Sequence, residues 1–89
     1  MGVFNLIYMR KKIAILGSTG SIGKTLLSII EKDKKNYEIV LLTAHKDYKT
    51  LFNQAKKFNV KNLIITNPKS YENFNKKNFR TKINLFKSF

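Results

Sequence analysis

Glycines at positions 17, 20 and 23 are the residues whose type and spacing suit chemistry on a ligand. They lie in Lys12-Ile-Ala-Ile-Leu-Gly17-Ser-Thr-Gly20-Ser-Ile-Gly23-Lys24, where an apolar run meets a G-x-x-G-x-x-G turn and then a helical pattern. The chemistry is anion binding. Amides at a helix N-terminus lack partners and carry the positive end of the helix dipole, so a phosphate is stabilised there. Gly17 ends the strand and permits a tight turn. Gly20 lets the backbone approach a pyrophosphate that a Cβ would hold off. Gly23 lets the helix pack closely on the strand. Ser18, Thr19 and Ser21 add hydroxyl donors, and Ile22 opens the helix beside them. The common dinucleotide fingerprint is G-x-G-x-x-G. Thr19 breaks that strict form, and the wider spacing is the variant used by several NADP-dependent reductases. The bland alternative is a tight strand-to-helix turn with no ligand.

A second alternative is a P-loop. Ser18-Thr-Gly-Ser-Ile-Gly23-Lys24-Thr25 fits G-x-x-x-x-G-K-[ST] except at its first position. Neither Ile39–Thr43 nor Leu63–Thr66 ends in the aspartate that would support Mg²⁺. Lys24 is therefore read as a solvent-facing helix residue.

The end of the second strand separates the nicotinamide cofactors. An acid there holds the ribose 2′-hydroxyl of NAD, whereas the 2′-phosphate of NADP asks for a cation. The segment is Leu41-Leu42-Thr43-Ala44-His45-Lys46-Asp47. No carboxylate occupies the strand end proper, and Lys46 follows it, so the expected cofactor is NADPH. Asp47 is expected either to approach the same site or to cap the next helix. His45, the one histidine, is expected to be an exposed loop residue. The five carboxylates, Glu31, Asp33, Glu38, Asp47 and Glu72, are scattered. No pair is placed for acid–base work, and no metal-ligand spacing or catalytic residue is expected.

The elements that must position these residues follow from the apolar pattern. Ile13–Leu16, Glu38–Ala44 and Asn62–Thr66 carry short continuous apolar runs, the pattern of buried parallel strands. Ser21–Lys32 reads as a helix capped by Ser21, with Ile22, Leu26, Leu27, Ile29 and Ile30 as one apolar stripe. Tyr48–Phe58 reads as a helix with Leu51, Phe52, Ala55 and Phe58 inward. Asn67-Pro68 starts a turn, residues 69–77 read as a third helix with Tyr71 and Phe74 inward, and Lys82–Phe86 alternates as a fourth strand. The order βαβαβαβ predicts an α/β fold, a partial Rossmann fold: a parallel sheet of about four strands, with flanking helices on both faces and right-handed crossovers.

With 89 residues the chain has room for about one mononucleotide-binding half plus a strand. The expected division is residues 1–10 as an extension or mis-assigned start, with Met9 a candidate start, and 11–89 as the N-terminal part of a truncated NADP-binding domain. Residues 1–8 lack a basic start and a cleavage site, so no signal peptide is expected. No apolar run approaches the ~20 residues of a membrane span. No cysteine is present, which fits a reducing cytoplasm. The formal net charge is +13, carried almost wholly by lysine, with arginine only at positions 10 and 80. The lysines are spread over every expected helix and loop, as in AT-rich coding drift. A stand-alone nucleotide- or nucleic-acid-binding module with a basic surface is the alternative reading.

The string Lys12-Ile-Ala-Ile-Leu-Gly-Ser-Thr-Gly-Ser-Ile-Gly23 resembles the N-terminus of the 1-deoxy-D-xylulose 5-phosphate reductoisomerase family. The resemblance continues through Tyr37–Ala44, Leu51–Phe58 and Asn62–Thr66 and covers roughly residues 11 to 86. It implies an oxidoreductase that converts 1-deoxy-D-xylulose 5-phosphate to 2-C-methyl-D-erythritol 4-phosphate with NADPH in non-mevalonate isoprenoid biosynthesis. It also implies Mg²⁺ or Mn²⁺ in the full enzyme, with ligands beyond position 89, and commonly a homodimer. By resemblance Thr19, Gly20, Ser21 and Ile22 contact the cofactor phosphates and ribose. The family's usual Ala-Gly-Lys-Asn after the second strand, which contacts the adenosine 2′-phosphate region, becomes Ala44-His45-Lys46-Asp47, so the resemblance implies that His45, Lys46 and Asp47 line that end of the cofactor site, with the lysine kept and the glycine and asparagine replaced.

Overall fold

The computed structural model describes residues 10–77 and 82–89. The proposed extension, except Arg10, lies outside the described residues. The elements run β1 (Lys11–Ile15), α1 (Ser21–Glu31), a 3-10 turn (Lys34–Asn36), β2 (Tyr37–Ala44), α2 (Tyr48–Phe58), β3 (Asn62–Ile65), α3 (Pro68–Lys77) and β4 (Asn84–Phe86). The four strands form one parallel sheet in the order β1-β2-β3-β4. This is the α/β alternation expected from the sequence.

Pairing in register puts Ile15 beside Leu42, Leu42 beside Leu63, and Leu63 beside Leu85. Ile15, Leu42 and Leu63 join one buried cluster with Ile39, Ala44 and Ile65 from the sheet, Leu27 and Ile30 from α1, Leu51 and Ala55 from α2, and Phe74 from α3. Leu85 packs against it. All three described helices therefore pack on the same face, which corrects the expectation of helices on both. The reason is topological. Strand order never reverses, so successive right-handed crossovers all fall on one side; helices on the second face require a reversal of order.

The predicted apolar stripe of α1 also divides. Leu27 and Ile30 are buried, but Ile22 is 78%, Leu26 44% and Ile29 60% exposed. Residues 22, 26 and 29 are spaced i, i+4, i+7, so they form a second stripe turned away from the core. Phe52, Phe58 and Tyr71 are partly buried against the core, as expected. Tyr48 and Phe52 both pack on the Phe74 ring, with centroids 5.7 and 5.3 Å away. A salt bridge of 2.8 Å joins Glu31 of α1 to Lys57 of α2, and the hydrogen bond from that lysine holds the Glu31 carboxyl below its ordinary pKa. Among the described residues no helix is long and apolar enough to cross a membrane.

Candidate cofactor-binding site

The glycine turn sits where β1 ends, and β2 holds it there. The Gly17 amide donates to Thr43 Oγ1 at 2.9 Å, and the Ser18 amide donates to the Thr43 carbonyl at 2.9 Å. Gly17 has φ +67°, a conformation that side chains rarely adopt, so glycine is required there by the backbone itself. The Gly20 amide closes the turn onto the Gly17 carbonyl at 3.1 Å. A Cβ on Gly23 would stand 2.5 Å from the Gly17 carbonyl oxygen and 2.5 Å from the Ser18 Cα. The close approach at Gly23 is thus made to the turn residues Gly17 and Ser18 that follow β1, whereas the sequence predicts packing of the helix on the strand itself.

Gly20 is different. Its φ of −80° and ψ of 174° are open to any residue, and a Cβ there would meet only the Gly17 carbonyl, at an ordinary 3.5 Å. Among the described residues nothing demands glycine at this position.

Two expectations about the turn need correction. Gly20, not Ser21, is the N-cap of α1, and among the described residues no side chain caps the helix. Ser21 already has its place in the helix, so its hydroxyl lies past the position from which capping works. Ser18 does not offer its hydroxyl outward. It is fully buried, and its Oγ donates to Gln54 Oε1 at 2.7 Å, with the Thr43 carbonyl at 3.4 Å. A serine between two glycines looks solvent-facing in sequence; here the turn folds it inward beneath α2.

The first backbone bond of α1 runs from the Lys24 amide to the Gly20 carbonyl at 2.9 Å. The amides of Ser21, Ile22 and Gly23 therefore precede the helical ladder. Among the described residues, these three amides and that of Thr19 have no protein acceptor. This is an unfilled set of donors at the positive end of an 11-residue helix.

The second strand end lies beside this turn, because Thr43 bonds to it, and His45, Lys46 and Asp47 follow directly. His45 is exposed, with Nδ1 2.7 Å from Thr66 Oγ1 at the end of β3. Lys46 is exposed. Asp47 caps α2: its Oδ1 accepts from the Thr50 amide at 3.1 Å. That hydrogen bond, aided by Lys24 and Lys49, lowers the Asp47 pKa and keeps it ionised. The glycine turn and the 45–47 segment therefore share the C-terminal edge of a parallel sheet, where such folds place their ligands.

Two positioning side chains were not singled out in the sequence, Thr43 and Gln54. Gln54 Nε2 donates to the Ser18 carbonyl at 2.9 Å while its Oε1 accepts from the Ser18 hydroxyl. A signal for Gln54 was present. It lies within the arc of α2 that carries Leu51, Ala55 and Phe58, and a polar residue on an inward face needs a partner. Among the described residues no group of three His, Cys, Asp or Glu could hold a metal ion.

Comparison with known proteins agrees with this geometry. The family model for 1-deoxy-D-xylulose 5-phosphate reductoisomerase matches residues 13–87. A reductoisomerase of that name from Pelagibacter ubique is 52% identical over 79 residues, covering 89% of this chain and 20% of its own length. The solved structure of the reductoisomerase from Zymomonas mobilis in complex with NADPH superposes with a TM-score of 0.80 at 29% identity, over 88% of this chain and 21% of that one. A DOX-P reductoisomerase structure in complex with NADPH, fosmidomycin and magnesium gives a TM-score of 0.78 at 28% identity, over 85% of this chain and 19% of that one. The chain thus spans about a fifth of the length of the relatives it matches. With the family model matched from strand β1 to the residue after β4, the chain belongs to the 1-deoxy-D-xylulose 5-phosphate reductoisomerase family.

Proposed function

We propose that residues 11–89 are the N-terminal, NADPH-binding part of a 1-deoxy-D-xylulose 5-phosphate reductoisomerase. The single observation that carries the reading is Gly20. Gly17 and Gly23 are explained by the protein's own backbone, whereas Gly20 has room for a side chain and carries none. A ligand that comes as close as a Cβ would is the reason for glycine there.

In this reading the pyrophosphate lies over Gly20 and accepts from the Thr19, Ser21 and Ile22 amides, with Gly17 and Gly23 shaping the turn and Ser18 anchoring it from below. Gly23 stays packed on the turn, and its amide adds to the local field. Lys46 faces the 2′-phosphate, flanked by His45 and Asp47. Bound NADPH supplies the hydride for a reduction in the complete enzyme, which converts 1-deoxy-D-xylulose 5-phosphate to 2-C-methyl-D-erythritol 4-phosphate. The described residues bind and orient; they do not fit a Mg²⁺ or Mn²⁺ site, and no step of the chemistry is assigned to them. A cytoplasmic, homodimeric enzyme is the corresponding assembly, supported by the family resemblance and the lack of cysteine.

Titration with NADPH, NADH, ATP and a short DNA duplex at moderate salt tests the reading. NADPH is expected to bind tightest; tighter binding of the duplex would sink it in favour of a nucleic-acid module.

Lys46→Glu should weaken NADPH about ten-fold or more and NADH only slightly, because one favourable and then one unfavourable charge term is exchanged at the 2′-phosphate. Equal losses for both cofactors would remove Lys46 from that role. Asp47→Asn should act in the opposite sense. Asparagine caps a helix as well as aspartate, so stability is held while a negative charge leaves the phosphate end. NADPH affinity should rise roughly two- to five-fold, corresponding to ~0.5–1 kcal/mol at a solvent-screened site. An unchanged NADPH-to-NADH ratio in isothermal titration would contradict it.

A further inference from the structure

We infer that Gln54 is a positioning residue that couples the two ends of the cofactor site, an inference that rests on the NADPH reading above. Ser18 is bonded from two sides. Thr43 of β2 accepts its amide, and Gln54 of α2 takes both its carbonyl, at 2.9 Å, and its hydroxyl, at 2.7 Å. The pairing is reciprocal, and it fixes the side-chain amide: reversing it would set Oε1 against the Ser18 carbonyl oxygen.

Two consequences follow. First, the turn that receives a pyrophosphate also contains carbonyl oxygens, which repel it. The Gly17 carbonyl is engaged by the Gly20 amide, the Gly20 carbonyl by the Lys24 amide, and the Ser18 carbonyl by Gln54. Gln54 is the one side chain among these three donors, and it holds the Ser18 carbonyl engaged on the α2 side of the turn. The amides of Thr19, Ser21 and Ile22 remain as donors among the described residues. Second, Gln54 stands seven residues, about two helical turns, after Asp47, the cap of α2. Lys46 and Asp47 lead into that helix. The bonds from Gln54 to Ser18 therefore tie α2 to the turn and, together with the Thr43 bonds from β2, fix the distance between the 2′-phosphate end and the pyrophosphate end. A ligand that spans both ends needs that spacing, and a ligand that reaches only one does not.

This difference gives the test. The protein and its Gln54→Met variant, which keeps the side-chain length and loses both bonds, are titrated with NADPH and with adenosine 2′-phosphate, which lacks the pyrophosphate. NADPH affinity should fall roughly ten-fold and adenosine 2′-phosphate affinity by less than about two-fold, the scale expected for losing oriented hydrogen bonds. Unchanged NADPH affinity, or equal losses for both ligands, overturns the inference; equal losses would mark a merely structural glutamine. Should the methionine variant not fold, Gln54→Asn carries the same test, because it keeps the amide and falls short of Ser18 by one methylene. A wild-type protein that binds neither ligand would instead remove the cofactor reading itself.

Discussion

Gly20→Val should abolish NADPH binding while leaving the fold in place. The two halves of that expectation have separate physical origins. At φ −80° and ψ 174° the Gly20 backbone is extended, a conformation that valine prefers. A Cβ there touches only the Gly17 carbonyl oxygen, at 3.5 Å. The backbone therefore accommodates the added Cβ, at the cost of a poorer helix cap, about 1 kcal/mol. The ligand does not accept it. Two methyl groups would stand where the pyrophosphate reaches the helix N-terminus, and the amide hydrogen bonds there are lost together. A loss of at least ~100-fold, or ~2.7 kcal/mol, is expected. Cofactor titration read beside a thermal melt checks both halves. Full NADPH affinity in a folded Gly20→Val protein would remove the phosphate assignment from this turn.

The parts of the molecule legible in the sequence are those where one force dominates. Strands β2 and β3 and helix α2 appear within a residue of their predicted bounds, because continuous apolar runs and a 3.6-residue period leave few alternatives. Gly17 and Gly23 were legible because backbone geometry excludes other residues. Asp47 could be read as a cap from its place before Tyr48, and it is one.

Features that depend on which surfaces meet were not legible. The five apolar residues of α1 look equivalent on a helical wheel, yet a helix on one face of a sheet has only one partner, and Ile22, Leu26 and Ile29 lie beyond it. The number of covered faces depends on strand order, which alternation alone does not specify. Thr43 illustrates the same limit from the polar side. As a strand-terminal threonine it reads in the sequence only as the lack of an aspartate. Its hydroxyl and its carbonyl instead hold consecutive amides of the glycine turn. Ser18 and Gln54 meet across 36 residues of sequence, a separation at which no local pattern carries information.

Gly23→Ala tests the other half of the glycine argument, and its sign runs against helix propensity. Position 23 lies in the first turn of α1, where alanine is favoured over glycine by roughly 1 kcal/mol when nothing else intervenes. Here the added Cβ would lie 2.5 Å from the Gly17 carbonyl oxygen, 2.5 Å from the Ser18 Cα and 2.8 Å from the Ser18 carbonyl carbon. All three are backbone atoms, so no flexible side chain can yield. Either α1 lifts from the turn or the turn leaves its bonds to Thr43. Overpacking of this kind costs about 1–3 kcal/mol or more, enough to outweigh the propensity gain. At ~4–8 °C per kcal/mol for a domain of this size, a net loss of about 2 kcal/mol lowers Tm by roughly 8–16 °C. Circular dichroism melts would show it, and a raised or unchanged Tm would mean that α1 does not press on the turn. NADPH binding should fall as well, because the lifted helix takes its free amides with it. The two glycine variants thus separate the two demands on the turn: Gly20→Val removes the ligand from an intact fold, and Gly23→Ala removes the ligand by loosening the fold that presents it.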